Sequence, residues 1–432
     1  MAIGIIARHP LMTSRYFGAM KKLLIFLLAF AGTATAQVPL AASYFKEAAA
    51  AAKKQQLWKV PLYGPMLFVD QQSRLSYANM PDSAGILKPD GGVYAGSLPK
   101  DVMVANTAIH WGGRTWSVLL WPLPEDRNER VNLLLHESFH RIQEQIGFPG
   151  KSPTADHLST MEGRIYFFLE LQALKAALQK PVNRRQTDLA NALAFRQERA
   201  RLFPATFANE RILEMNEGLA EYTGAALGRR DLRPHLYAQI DTAGNRKSLI
   251  RSCAYLTGPV YGLLLQEKDK HWTQQIDSNA NFPDLICRYY QVKASNAPNE
   301  SNYNGAAIRL SEQQKETIRL QAVAAYTETF TQMPVLRITL VKMSVIFNPN
   351  NLFDLGDYGT VYPTGEVKDK WGHLKVNKGG MLLKDWHVVS VPVNGQLDIS
   401  ARHLASAGWT LDLADGWHLV KNDELHYTLS SN

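Results

Sequence analysis

The pattern of hydrophobic and polar positions changes period three times along the chain. Residues 41–55, rich in Ala, Lys and Gln, read as a short helix. Short β-branched, aromatic and aliphatic runs then follow at Met66 to Asp70, Arg74 to Ala78, Val93 to Gly96, Val102 to Ala108 and Thr115 to Leu120. Pro-Asp, Pro-Asp-Gly-Gly and Trp-Gly-Gly turns separate them, which predicts an antiparallel sheet. From Asp126 the spacing becomes helical. Leu133, Leu134, Phe139, Ile142 and Ile146 recur on one face until Gly147 and Pro149 stop the run. A second helix opens at Ser159, with Glu162 three places on as a capping box, and ends at Pro181. A third covers residues 184–202, a fourth residues 209–227, and more continue to Phe330. Beyond Pro334 alternation returns, from Arg337 to Ile346 and on to Trp417 to Lys421, predicting a C-terminal β domain.

These periods describe an α+β protein. Residues 37–125 form an N-terminal antiparallel β region, 126–330 a mostly helical region and 331–432 an all-β domain. The length of 432 residues suits two or three domains.

The first 36 residues are set apart by composition. Met20-Lys21-Lys22, an apolar run from Leu23 to Ala31 and an Ala-Thr-Ala exit before Gln37 make a secretory signal peptide, with residues 1–19 as an upstream extension. The run is too short for a membrane span, so the mature chain is expected to be exported, to the periplasm or beyond the cell, with no integral span. Removing this segment removes Arg8, Arg15, Lys21 and Lys22 and no acid, leaving 43 basic against 39 acidic side chains, a net +4. So weak a charge points to no nucleic-acid partner. An exported location permits a disulfide between Cys253 and Cys287, the only two cysteines; two buried free thiols are the alternative.

The chemistry concentrates on the first long helix, at His136-Glu137-Ser138-Phe139-His140. Histidines four apart differ by about 40° around an α-helix, so both imidazoles reach one cation. The glutamate beside the first can work on a metal-bound water. A catalytic zinc takes three protein ligands and keeps an open position. Glu217 is the best third ligand and Glu162 the rival. On an α-helix Glu210, Glu214, Glu217 and Glu221 would stack along one face, where a cation would relieve their repulsion. Gly218 within that helix implies close approach of another backbone.

His136-Glu137-Xaa-Xaa-His140 followed by Asn216-Glu217-Gly218-Leu219-Ala220-Glu221-Tyr222 resembles the gluzincin metallopeptidases, the group of thermolysin and the alanyl-aminopeptidases. The resemblance rests on these motifs. It implies a zincin-like fold, Zn2+ held by His136, His140 and Glu217, Glu137 as the base, and Glu221 orienting a histidine. It further implies that Tyr255, in Tyr255-Leu256-Thr257-Gly258, steadies the oxyanion, with Tyr261 and His235 in reserve. Thr115 to Leu120 sits where the edge strand of a zincin sheet would pair with an extended peptide, although a central strand fits the sequence equally. The chain departs from the group in its long interval between His140 and Glu217. It also lacks a Gly-Xaa-Met-Glu-Asn segment, so exopeptidase activity is not implied. The expected activity is hydrolysis of a peptide or protein substrate by an exported zinc metallopeptidase. The alternative is an inactive zincin-like binding or envelope-structural protein.

Overall fold

The computed structural model describes residues 37–431, apart from 54, 349, 350 and 407. The proposed export segment therefore lies outside the described residues. The protein is α+β, with an N-terminal sheet, central helices and a C-terminal all-β region. It divides into two compact units. One comprises the chain up to Ala155 with Glu170–Asp241 and Arg251–Pro298, and the other comprises Asp156–Leu169, Thr242–Ile250 and Asn299–Asn432.

In the first unit, helix α1 (37–52) precedes strands β1 (Met66–Asp70), β2 (Leu75–Ala78), β3 (Lys88–Asp90), β4 (Val93–Ser97), β5 (Thr107–Trp111) and β6 (Arg114–Trp121). They form one sheet in the order β3-β4-β2-β1-β6-β5. It is mixed rather than antiparallel throughout, because β1 and β6 run parallel, with Leu67 opposite Val118 and Val69 opposite Leu120. Both faces of β1 are covered. Met66 and Phe68 pack with Tyr44 and Phe45 of α1, and Leu67 and Val69 pack with Trp116 and Val118. A strand buried on both sides reads as a continuous apolar run, and Met66-Leu67-Phe68-Val69 is one.

Helix α2 (Arg127–Gln143) starts at Asp126, whose carboxylate accepts the Asn128 and Glu129 N–H groups. Within this unit the later helices are α4 (Gln186–Leu202), α5 (Ala208–Leu213), α6 (Leu219–Gly228), α7 (Arg233–Asp241), α8 (Ala254–Gln266) and α9 (Phe282–Tyr290). Between α5 and α6 lies a π turn, Glu214–Gly218. Cys253 and Cys287 are free thiols, the first buried and the second half-buried. Among the described residues no helix is long and apolar enough to cross a membrane.

Helix α3 (Met161–Leu178) begins in the second unit. Its cap lies one residue later than the spacing predicts: Thr160 Oγ1 accepts the Gly163 N–H at 3.1 Å, while the Ser159 hydroxyl donates to the Asp156 carbonyl. The second unit also contains α10 (Gly305–Gln332), a seven-stranded sheet and a five-stranded sheet. Both sheets contribute to one core, which includes Leu336, Val367, Trp371, Val391 and Trp409.

Candidate metal centre

Helix α2 buries Leu134, Leu135, Phe139 and Ile142 and turns His136, Glu137 and His140 toward a cavity of about 1320 Å3. Helix α6 crosses beside it through small residues. A Cβ on Gly224 would meet the Asn132 carbonyl at 2.3 Å, so the two backbones approach as only glycine permits. Gly218 and Gly258 do the same for the π turn and α8, since a Cβ on Gly258 would lie 2.4 Å from Gly218 Cα. That contact is the close backbone approach expected for Gly218. It also sets Tyr255, one turn before Gly258, over the π turn.

The result is a convergence of three side chains. His136 Nε2 and His140 Nε2 are 3.1 Å apart, and Glu217 Oε2 stands 3.5 Å from the first and 3.4 Å from the second. Ligands at about 2.0–2.1 Å from a shared tetrahedral ion stand roughly 3.3 Å from one another. The residues present therefore fit a divalent ion. His136, His140 and Glu217 are the set of metal-competent groups that comes together among the described residues. Glu162 belongs to the other compact unit and is outside this set.

The outer nitrogens are held differently. His136 Nδ1 lies 3.0 Å from Glu221 Oε2, and Glu221 Oε1 accepts the Asn132 amide at 2.9 Å. A carboxylate only accepts, so Nδ1 carries a proton, and once the ring is neutral its Nε2 lone pair faces the centre. His140 Nδ1 instead meets Gln143 Oε1 at 2.8 Å. Gln143 donates to Asn216 Oδ1 at 2.7 Å, and Asn216 donates to Ser152 Oγ at 2.7 Å and to Glu217 Oε1 at 3.2 Å. Ser152 donates to the same oxygen at 3.0 Å. A chain of neutral donors thus runs from His140 to the carboxylate opposite it. Gln143 was legible as a same-face neighbour three residues after His140. Ser152 sits in an irregular segment whose position no periodicity reports.

Tyr255 lies in the first turn of α8, stacked on His136 with ring centroids 5.5 Å apart, and its hydroxyl donates to Glu217 Oε2 at 2.6 Å. Tyr261 is elsewhere, buried and donating to Glu170 Oε1 at 2.6 Å. His235 is not among the cavity-lining residues, and burial together with Arg229 lowers its pKa.

Charge balance follows from these contacts. Burial alone would lower the His136 pKa, but Glu217 and Glu221 outweigh it and hold it up at about 10. Burial would raise Glu217, yet hydrogen bonds from His136, His140 and Tyr255 keep it far below the usual carboxylate range. Glu137 is 3% exposed, its pKa raised by burial against the pull of both histidines, and its Oε2 has no hydrogen-bond partner. A buried acid with an orphaned oxygen beside two imidazoles is available for proton transfer.

The expected four-carboxylate stripe is corrected by the π turn. Its i→i+5 geometry breaks the α-helical register, so Glu217 and Glu221 face the histidines while Glu210 and Glu214 turn inward. There Arg196 holds Glu214 with bonds of 2.8 and 2.7 Å, Arg199 holds Glu210 at 2.7 and 2.8 Å, and both arginines reach Glu170. Arg211 bonds to the Ser278 carbonyl rather than to this stripe.

Of the two placements that the sequence leaves open for Thr115 to Leu120, the central one holds: β6 is internal to the sheet, and the edge facing the cavity is β5. The hairpin through Gly112 and Gly113 adds β5 outside it, pairing Ala108 with Ser117 and Ile109 with Trp116. Thr107 to His110 line the cavity.

No family model, curated protein or solved structure matches the chain.

Replacing Arg196 by Met leaves Glu214 in the interior without its bidentate cation, while Glu170 keeps Arg199 and Tyr261, and removing one partner of such a buried pair costs about 3–5 kcal/mol. Denaturant unfolding of Arg196→Met should show a loss of that size. Gly258→Ala should cost about 1–3 kcal/mol through overpacking against Gly218, and an unchanged midpoint would contradict the close contact.

Proposed function

We propose that the protein is an exported zinc metallopeptidase of gluzincin type on a zincin-like fold. The observation that carries this reading is the meeting of His136, His140 and Glu217 at ligand spacing beside a buried, unpartnered Glu137. Zinc, when bound by those three residues, would supply Lewis-acid polarisation and an acidified water. Glu137 would accept the proton of the attacking water and pass it to the leaving amine, a task its raised pKa suits. Tyr255, kept protonated by burial and by Glu217, would donate to the developing oxyanion. Glu221 and Gln143 would hold the two imidazoles in the tautomer that presents Nε2. Edge strand β5 offers its outer backbone groups to an extended peptide lying along the cavity.

Glu137→Gln should retain zinc, measured by elemental analysis, and lose about 10²–10⁴-fold in peptide turnover. Metal-free protein after chelator-free purification, or a fully active Glu137→Gln, would overturn the proposal. The inactive zincin-like alternative predicts bound zinc with no turnover in the wild type.

Metal uptake must displace the proton that the carboxylates hold on His136. Affinity should therefore rise as pH increases toward about 10, with net proton release on binding at neutral pH. Titration calorimetry in two buffers of different ionisation enthalpy measures that release. Gln143→Leu removes the outer support of His140 and should weaken zinc binding by about 10–100-fold without unfolding the chain. Competition with a chromogenic chelator reads that loss.

A further inference from the structure

Arg141 immediately follows His140 and stands four residues after Glu137, so it lines the same cavity one helical turn along. Its guanidinium lies flat on Gly64, where a Cβ would come within 2.5 Å of Cζ. One terminal nitrogen donates to the carbonyls of Pro61 and Leu62 at 3.1 and 3.0 Å, while Nε is buried without a partner. Among the described residues no carboxylate comes within ion-pair distance of it. The buried arginines of the same unit behave otherwise. Arg130 pairs with Glu47, Arg185 with Glu267, Arg196 with Glu214 and Arg199 with Glu210. Half-buried Arg141 lacks such a counter-charge, as do Arg74 and Arg211, but of these three Arg141 is the one that lines the cavity beside the candidate catalytic groups.

A second cation lies at the same end of the cavity. Ala108 of the edge strand pairs with Ser117, whose N–H bonds to the Pro65 carbonyl at 3.0 Å. Pro65 and Gly64 beneath Arg141 therefore stand near the Ala108 to His110 end of β5. Arg114, at the start of β6, lines the cavity there, donates Nε to the Pro81 carbonyl at 2.8 Å and has no carboxylate partner among the described residues. Glu144, the acid at this end, is exposed and bonds to neither arginine. At the opposite end, near Asn106 and Pro124, the lining acid Glu129 is already paired with Arg229.

Resting on the peptidase reading, we propose that Arg141, assisted by Arg114, selects substrates presenting a carboxylate at this end of the groove. A partly desolvated guanidinium holds a carboxylate through charge-assisted hydrogen bonds that a neutral amide cannot match. An acidic side chain and a free C-terminus offer the same group.

The test uses the zinc-loaded, full-length Glu137→Gln protein and fluorescent peptides in matched pairs: Glu against Gln at each position, and C-terminal acid against C-terminal amide. One pair should show about tenfold or greater preference for the acid, weakening with added salt. Which pair does so separates side chain from terminus. In Arg141→Gln the acid-to-amide ratio should fall to about one, with Arg141→Lys retaining part of it. Because Arg141 also holds two carbonyls, Arg114→Gln provides an exposed second variant, which should lower the ratio without touching those bonds. Equal affinities across every pair, or a preference that survives Arg141→Gln, would overturn the assignment. Wild-type zinc protein that cleaves no peptide yet discriminates through Arg141 would overturn the peptidase reading and leave the assignment standing. Cleavage with no such discrimination does the reverse.

Discussion

The site depends on holding one carboxylate, that of Glu217, opposite two imidazoles from another helix. Its Oε2 faces both histidines and accepts from Tyr255, and its Oε1 accepts from Ser152 and Asn216. So many donors on one acid leave it little rotameric freedom, and they explain why it stays ionised despite burial. The π turn presents it, and such turns in α-helices concentrate where a side chain must be re-aimed. Behind that turn, Arg196 and Thr257 fix Glu214, so the residues on either side of the bend are each tied to a different neighbour. The buried Arg–Glu cluster is costly to desolvate and adds little net stability as a pair count. Its effect is to anchor the inward side of the turn that carries Glu217.

The two imidazoles are not equivalent. Glu221 places a full negative charge behind His136, which raises the basicity of that ring, whereas His140 has only the amide of Gln143. A second carboxylate behind His140 would add a fourth acid to Glu137, Glu217 and Glu221 in one buried space, and their mutual repulsion would drive a pKa up. The neutral relay through Gln143 and Asn216 orients the ring without adding that charge. It also ties the ring to Glu217 Oε1, so the acid and the imidazole opposite it share one hydrogen-bonded path.

What the chain made legible follows from how local each feature is. The histidine pair and Glu137 were readable because four-residue spacing on an α-helix is a property of the segment itself, and Gly218 because a helical glycine marks a close approach. The division of the four glutamates was not readable, since it arises from a π turn that simple periodicity takes for an α-helix. Strand pairing is nonlocal, so the parallel contact of β1 with β6 and the placement of β5 outside β6 lay beyond the turn signals. Strand β3, Lys88-Pro89-Asp90, escaped notice because an exposed edge strand need carry no apolar pattern. The cap at Thr160 instead of Ser159 is a choice between adjacent hydroxyls that spacing does not resolve.

Placing β5 at the edge changes what the cavity can recognise. Had β6 been the edge, its Trp116 and Val118 side chains would still point into the sheet's core, and the strand rim of the cavity would begin at Thr115. Adding β5 brings Thr107, Ala108, Ile109 and His110 to the rim instead, small or polar residues apart from Ile109. Backbone pairing at such an edge is indifferent to sequence, so selectivity must come from side chains set around it. In this cavity those side chains are predominantly polar, and they include two cations, Arg114 and Arg141, that no internal acid neutralises. Discrimination by charge, rather than by an apolar side-chain pocket, is therefore the recognition mode that this lining favours.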